Sequence, residues 1–137
     1  MAAKTSAAIR RALVQTIRNA SVYSSLNGIY PDFAPEKVEY PFATYSRVAA
    51  VYEDDWSNRT IIAAYDVFVF SRNEVEANNF DQDLADALDG AQLTVEDQTS
   101  LLCRRIADIP MPADVDEKGE PIYQVGGSYE IWTDQSR

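Results

Sequence analysis

The segment from Thr60 to Phe70 constrains this chain most. It carries Ile61, Ile62, Tyr65, Val67, Phe68, Val69 and Phe70 within one short run. Successive side chains of a strand point to opposite faces, so a run apolar at both parities predicts a central strand covered on both faces. The preceding stretch, Phe42 to Tyr52, is also rich in β-branched and aromatic residues and reads as a strand. Between them lies Glu53-Asp54-Asp55-Trp56-Ser57-Asn58, polar except for its tryptophan. Residues 42–70 therefore predict one long hairpin.

Helical periodicity flanks this hairpin. At 100° per residue, Ile9, Leu13, Thr16, Ile17 and Ala20 share one side of a helix expected over about 6–26, stopped by Asn27-Gly28. Gly28 to Tyr30 suggests a short strand before the Pro31 to Pro35 loop. Ser71-Arg72-Asn73-Glu74 fits a capping box and opens a helix over about 73–88. There Ala77, Phe80, Leu84, Ala87 and Leu88 fall on one face, and Asp89-Gly90 ends the element.

Gln92 to Val95 suggests another short strand. Residues 101–109 alternate as a strand open on one face, placing Arg104 and Arg105 on opposite sides, one of them partly buried against an acid. After the Pro110 to Pro121 loop, residues 122–133 form the closing strand, where Gly126-Gly127 implies a bulge or a close backbone approach. The expected architecture is one α+β domain over 1–137. Its sheet is antiparallel or mixed, with about four main strands plus short ones, and two helices pack on one face.

Charge excludes several functions. The 137 residues include 12 basic and 22 acidic side chains and no histidine, a net charge of −10. Sequence-independent nucleic-acid binding and docking on anionic lipid both rest on an excess of Lys and Arg. Without histidine the chain lacks the commonest general base and metal ligand. The single cysteine, Cys103, cannot form an internal disulfide and sits in an apolar run. No apolar stretch approaches the roughly 20 residues that cross a bilayer, and arginines at 10, 11 and 18 interrupt any signal-peptide core, so a soluble cytoplasmic product is expected. The charge is also segregated. Residues 1–29 hold four basic and no acidic side chains, +4, while residues 30–137 hold 8 basic and 22 acidic, −14. Lys4, Arg11 and Arg18, spaced by sevens, fall opposite the apolar side of the first helix. They form either a solvated face or a basic stripe that meets the acidic surface of a neighbouring copy.

Other candidates carry less chemistry. Glu53, Asp54 and Asp55 are adjacent at a strand end and point apart, so they suit a polar loop tip better than paired catalytic carboxylates. Asp114-Val115-Asp116-Glu117-Lys118-Gly119 has the opening of a calcium loop but Lys118 at the fifth position and Val125 at the twelfth, so a turn is expected. Trp56 either folds back on the sheet as an anchor or serves as a binding hot spot. No phosphate loop, nucleophile elbow or zinc spacing occurs, and no cofactor is called for.

The order of these features resembles a known family. Leu26-Asn27-Gly28-Ile29-Tyr30 is followed by the proline loop and Tyr40-Pro41-Phe42-Ala43-Thr44-Tyr45. Asp55-Trp56-Ser57 then precedes Tyr65-Asp66-Val67-Phe68-Val69-Phe70-Ser71. A helix ending Leu84-Ala85-Asp86-Ala87-Leu88-Asp89, a short Leu93-Thr94-Val95 and a closing Gly127-Ser128-Tyr129-Glu130-Ile131-Trp132 complete the set. Over roughly Ser6 to Thr133 this is similar to the tail-terminator or tail-completion proteins of long-tailed bacteriophages, the tail-to-head joining family. The stretch Ala113 to Glu120 departs from it, being longer than a tight turn.

The resemblance implies a structural virion protein without catalysis. Family members form rings, commonly hexamers, that cap the tail tube and join it to the head connector. The implied partners are further copies of the chain, the tail-tube protein and the head–tail connector protein. DNA passes through without being specifically bound, and no membrane is involved. The implied location is the head-proximal end of the virion tail, reached from the host cytoplasm during assembly. On this reading Arg11, Arg18, Asp54, Asp55, Trp56, Asp114 and Asp116 are the candidate subunit or partner contacts. Two other classes fit the charge. One is an acidic adaptor or DNA mimic; the other is a small metal-dependent hydrolase using Asp54, Asp55, Asp66 and Asp114.

Overall fold

The computed structural model describes the backbone of residues 2–96 and 98–136 and the side chains of 7–96, 98, 99 and 102–135. Lys4 and Leu101 therefore lie outside the described side chains. The apolar run forms β3 (Asn58–Ser71), which pairs antiparallel with β2 (Phe42–Asp54) to make the expected hairpin. On its other side β3 pairs antiparallel with β6 (Pro121–Ser136), and β6 in turn pairs with β4 (Thr99–Pro110). The short β1 (Ile29–Pro31) runs parallel to the start of β2, and β5 (Asp114–Val115) pairs with the start of β6. The sheet has six strands in the order β1-β2-β3-β6-β4, with β5 beside β6, and is mixed.

Two helices, α1 (Ala2–Asn19) and α2 (Glu74–Leu88), lie over one face. Ile9, Leu13 and Ile17 of α1 and Leu84 and Leu88 of α2 share one core with Ile61, Tyr65, Val67 and Val69 of β3 and Tyr129 and Ile131 of β6. All of these side chains are essentially buried. The architecture is α+β, as the patterning predicts.

Several local expectations are corrected. The first helix does not run to residue 26. Ala20 is extended (φ −74°, ψ 142°) and a 3-10 turn follows over Ser21–Ser25, in which the Ser24 hydroxyl donates to the Ser21 carbonyl at 2.9 Å. Asn and Ser compete for backbone partners and favour turns over helix interiors, which explains the break.

The second helix is capped by Asn73 rather than Ser71. The Glu76 amide donates to the Asn73 side chain (3.0 Å), and the Ser71 hydroxyl donates to the Glu76 carboxylate (2.8 Å). Gln92 to Val95 is no strand. The residues leading into it are tied to β4, where the Gly90 amide donates to the Cys103 carbonyl at 2.7 Å and the Cys103 amide to the Ala91 carbonyl at 2.8 Å, and it places Leu93 and Val95 in the core. Gly126-Gly127 keeps continuous register with β3, so the pair marks close approach and not a bulge.

The largest correction concerns β3. From Ile61 onward its odd-numbered residues are buried, but Ile62, Ala64, Asp66, Phe68 and Phe70 are only half-buried. Both helices lie on the other side, so among the described residues no second layer covers this face. One end of it is sheltered, between the loop over 32–41 and residues 111–114. There the Phe42 and Phe70 rings stack at 5.0 Å, Tyr40 lies 5.0 Å from Phe42, and Arg72 sits 4.4 Å over the Tyr40 ring.

Candidate functional site

The uncovered half of that face carries an organised surface. Ladder register sets Val51, Ile62, Trp132 and Leu102 side by side across β2, β3, β6 and β4. Val51 is 51% and Leu102 38% exposed, while Ile62 and Trp132 are half-buried. On one side of this apolar row lie Glu53, Thr60, Asp134 and Thr99; on the other lie Ala49, Ala64, Glu130 and Arg104. Thr60 donates to Asp134 at 3.2 Å, and the Trp132 indole N–H donates to Glu130 at 3.3 Å. Glu130 also pairs with Arg104 at 3.6 Å. Both flanking strands carry bulges on this half of the sheet, at Val48 in β2 and at Leu101 and Ile106 in β4.

The hairpin tip uses its acids to build a turn. Asp54 makes two contacts with Arg59, 2.6 Å to Nε and 3.2 Å to Nη2, and this hydrogen bond and charge raise the Arg59 pKa. Asp55 accepts from the amides of Ser57 (2.9 Å) and Asn58 (2.7 Å). Trp56 sits at the apex fully exposed. Of its two sequence readings, folding back as an anchor is excluded.

The acidic stretch near 114–120 is also a turn. Asp116 accepts from the amides of Glu120 (3.0 Å) and Lys118 (2.8 Å) and pairs with Arg72 at 2.8 Å. The Glu120 amide, with support from Arg72 and the Lys118 amide, holds the Asp116 carboxyl below its ordinary pKa. Gly119 takes φ +78°, which glycine adopts at little cost. Asp114 accepts from the adjacent Val115 amide at 2.8 Å.

On the helix side Arg11 and Arg18 both face solvent, and Arg11 pairs with Glu96 at 3.3 Å across an exposed gap. Arg18 stands in the last turn of α1, where a cation complements the carbonyl end.

These candidates do not converge. Asp54, Asp55 and Trp56 lie at one end of β3 and Asp114 and Asp116 beyond the other, while Arg11 and Arg18 stand on α1. Asp54 and Asp66 face opposite sides of the sheet, because their β3 positions, Arg59 and Asp66 itself, differ in parity. Among the described residues no group of three His, Cys, Asp or Glu side chains is arranged to hold a metal ion. No described helix is long and apolar enough to cross a membrane. The apolar row was not among the sequence candidates. Its four residues were each readable as strand positions, but only the ladder register aligns them.

A groove between α2 and the β4 end has a different character. It is lined by Asp81, Asp86, Asp89, Asp108 and Arg105, and the Arg105 guanidinium is bound by two of these carboxylates. Burial opposes the Arg105 charge, but the hydrogen bond and charge of Asp81 outweigh it and raise the pKa. This is the partly buried pair that alternation predicted for Arg104 or Arg105, and it is structural.

The family model described as Tail completion protein gp17 matches residues 5–111. The chain belongs to that family. Membership carries a structural role in the bacteriophage tail and a place among virion components. Among solved structures, a chain from the virion of a native gene transfer agent particle superposes with a TM-score of 0.73 at 16% identity, covering 95% of this chain and 97% of that one. A second solved chain superposes with a TM-score of 0.50 at 9% identity, covering 96% and 95%. At these identities the likeness establishes a shared fold. No curated protein matches the chain.

Proposed function

We propose that this tail completion protein assembles into a hexameric ring that closes the tail tube and joins it to the head connector, acting without covalent chemistry. The match of the family model over residues 5–111 carries the reading. Two features of the subunit support it. A ring needs a heterologous contact, in which one surface meets a different surface of the next copy. The basic outer side of α1 and the acidic remainder of the subunit, +4 against −14, are complementary in that way. A net acidic lumen also repels phosphates, so the duplex passes without sticking.

Arg11 and Arg18 are assigned to the neighbouring copy. The hairpin tip with Asp54, Asp55 and Trp56, and the 110–121 segment with Asp114 and Asp116, are assigned to the tail-tube and connector proteins. Both project from the sheet ends and expose side chains that the subunit core does not use. The protein then resides at the head-proximal end of the tail, after assembly in the host cytoplasm.

The test is capping of purified tail tubes from the cognate particle, followed by electron microscopy. Tube ends closed by rings are expected, and bare ends at saturating protein sink the proposal. Charge reversal at Arg11 and Arg18 is expected to shift sedimentation of the capped assembly from ring towards free subunit.

A further inference from the structure

The ring reading leaves open which surface receives the basic side of α1, and the uncovered sheet face answers it. From the geometry we infer that the row Val51–Ile62–Trp132–Leu102 of one copy is covered by the Arg11 and Arg18 side of α1 from the adjacent copy. This rests on the ring proposal and names the contact within it.

Four observations lead there. First, the row is apolar across four adjacent strands while both helices lie on the opposite side, which leaves an apolar band in water. Second, association through the sheet edges is obstructed on this half. Val48 interrupts β2 and Leu101 and Ile106 interrupt β4, and such bulges break the ladder that edge pairing would extend. The face is therefore the available surface.

Third, the face does not suit a copy of itself. Glu53, Asp66, Glu130 and Asp134 stand on it with Arg104, which is already paired with Glu130. Placing two such faces together would oppose like charges.

Fourth, the outer side of α1 has the complementary chemistry. Arg11 and Arg18 are separated by about 10.5 Å along the helix. Glu130 and Asp134, four residues apart on β6, are separated by about 13 Å and bracket Trp132. Two arginine heads can reach those carboxylates while their methylene stems lie on the apolar row, and a guanidinium can stack on the Trp132 ring. The exposed Arg11–Glu96 pair within the subunit is weak and can exchange for this partner. Because α1 and the open face are different surfaces of one subunit, the contact is heterologous, the type that builds a ring when the rotation between copies closes.

The experiment is capping of purified tail tubes by four proteins: wild type, Val51→Lys/Leu102→Lys, Arg11→Glu/Arg18→Glu, and the variant combining all four changes. Val51 and Leu102 project from the subunit, so circular dichroism and thermal midpoint should match wild type. A Val51→Thr/Leu102→Thr pair serves if the lysine pair does not fold, with a several-fold loss of capping expected. Each charged pair is expected to lower capping at least tenfold, and the combined variant to regain most of it. Wild-type levels of capping by the lysine pair would overturn the inference. So would loss by the lysine pair with no recovery in the combined variant, since another protein would then cover this face. Failure of the wild type to cap would instead strike the ring proposal itself.

Discussion

Arg105 and Asp81 join β4 to α2 through two parallel hydrogen bonds, Nη1 to Oδ1 at 3.0 Å and Nη2 to Oδ2 at 2.9 Å, with both side chains about seven-eighths withdrawn from water (13% and 15% exposed). The same guanidinium donates to the Tyr129 hydroxyl (3.0 Å), the Gly126 carbonyl (3.1 Å) and Asp108 (2.8 Å). All five of its N–H donors are thus used.

Removing one partner of this pair should cost far more than replacing both. Asp81→Ala leaves a largely buried cation, and urea unfolding is expected to show a loss of about 3 kcal/mol. The double variant Asp81→Leu/Arg105→Met removes both charges and is expected to lie within about 1 kcal/mol of wild type. A double variant less stable than Asp81→Ala would contradict this account.

The guanidinium fits because Gly127 has no side chain. A Cβ there would sit 2.5 Å from Arg105 Cζ and 2.7 Å from the Ala107 carbonyl oxygen. At Gly126 a Cβ would sit 2.9 Å from Phe68 Cα and closer still to the Val67 carbonyl oxygen, both of them backbone atoms held in the ladder. Gly126→Ala and Gly127→Ala are each expected to destabilise the subunit by about 2 kcal/mol or more, read from denaturant midpoints at unchanged slope.

Stability should decline in alkali. Burial pushes the Cys103 thiol from 9.0 up to about 12. Burial likewise pushes the Tyr129 phenol up to about 12 against the opposing charge of Arg105, and it raises Tyr65. A raised pKa means that the folded state keeps a proton the unfolded chain releases. The contribution is fully present below the unfolded value and is lost as pH climbs through the folded one. The loss should begin near pH 9 and continue towards pH 12, at about 1.4 kcal/mol per pH unit for each proton held. Thermal midpoints measured across this range test the slope, and Cys103→Ala should flatten its onset.

Trp56→Ala separates folding from assembly. The ring makes no contact within the subunit, so unfolding free energy should stay within about 0.5 kcal/mol of wild type. Capping of tail tubes should fall by tenfold or more, as for an exposed aromatic anchor. Unchanged capping would remove the tip from the proposed partner contacts.

The metal-dependent alternative predicts stabilisation by magnesium or manganese. Asp54 is engaged by Arg59, and Asp66, on the opposite face, accepts from Ser128. Calorimetry with and without either ion is therefore expected to give thermal midpoints within about 1 °C. A saturable rise would favour the alternative.

Periodicity along the sequence determined a good deal. The apolar density of Thr60 to Phe70 marked β3 as a central strand, the Ile9–Leu13–Ile17 spacing marked the inner stripe of α1, and the charge split between residues 1–29 and the remainder was explicit. Such signals are local, because a strand or helix repeats its direction every two or about 3.6 residues. The second apolar parity of Thr60 to Phe70 read as burial on both faces, yet among the described residues the helices cover one face only. Hydrophobicity records that a surface is to be shielded from water and not whether the shield belongs to the same chain. The alignment of Val51 with Ile62, Trp132 and Leu102 and the closure of Arg105 on Asp81 depended on register and packing between distant segments. Those were decided by the tertiary structure, because a one-residue shift of any ladder would change every partner while leaving each strand's own pattern intact.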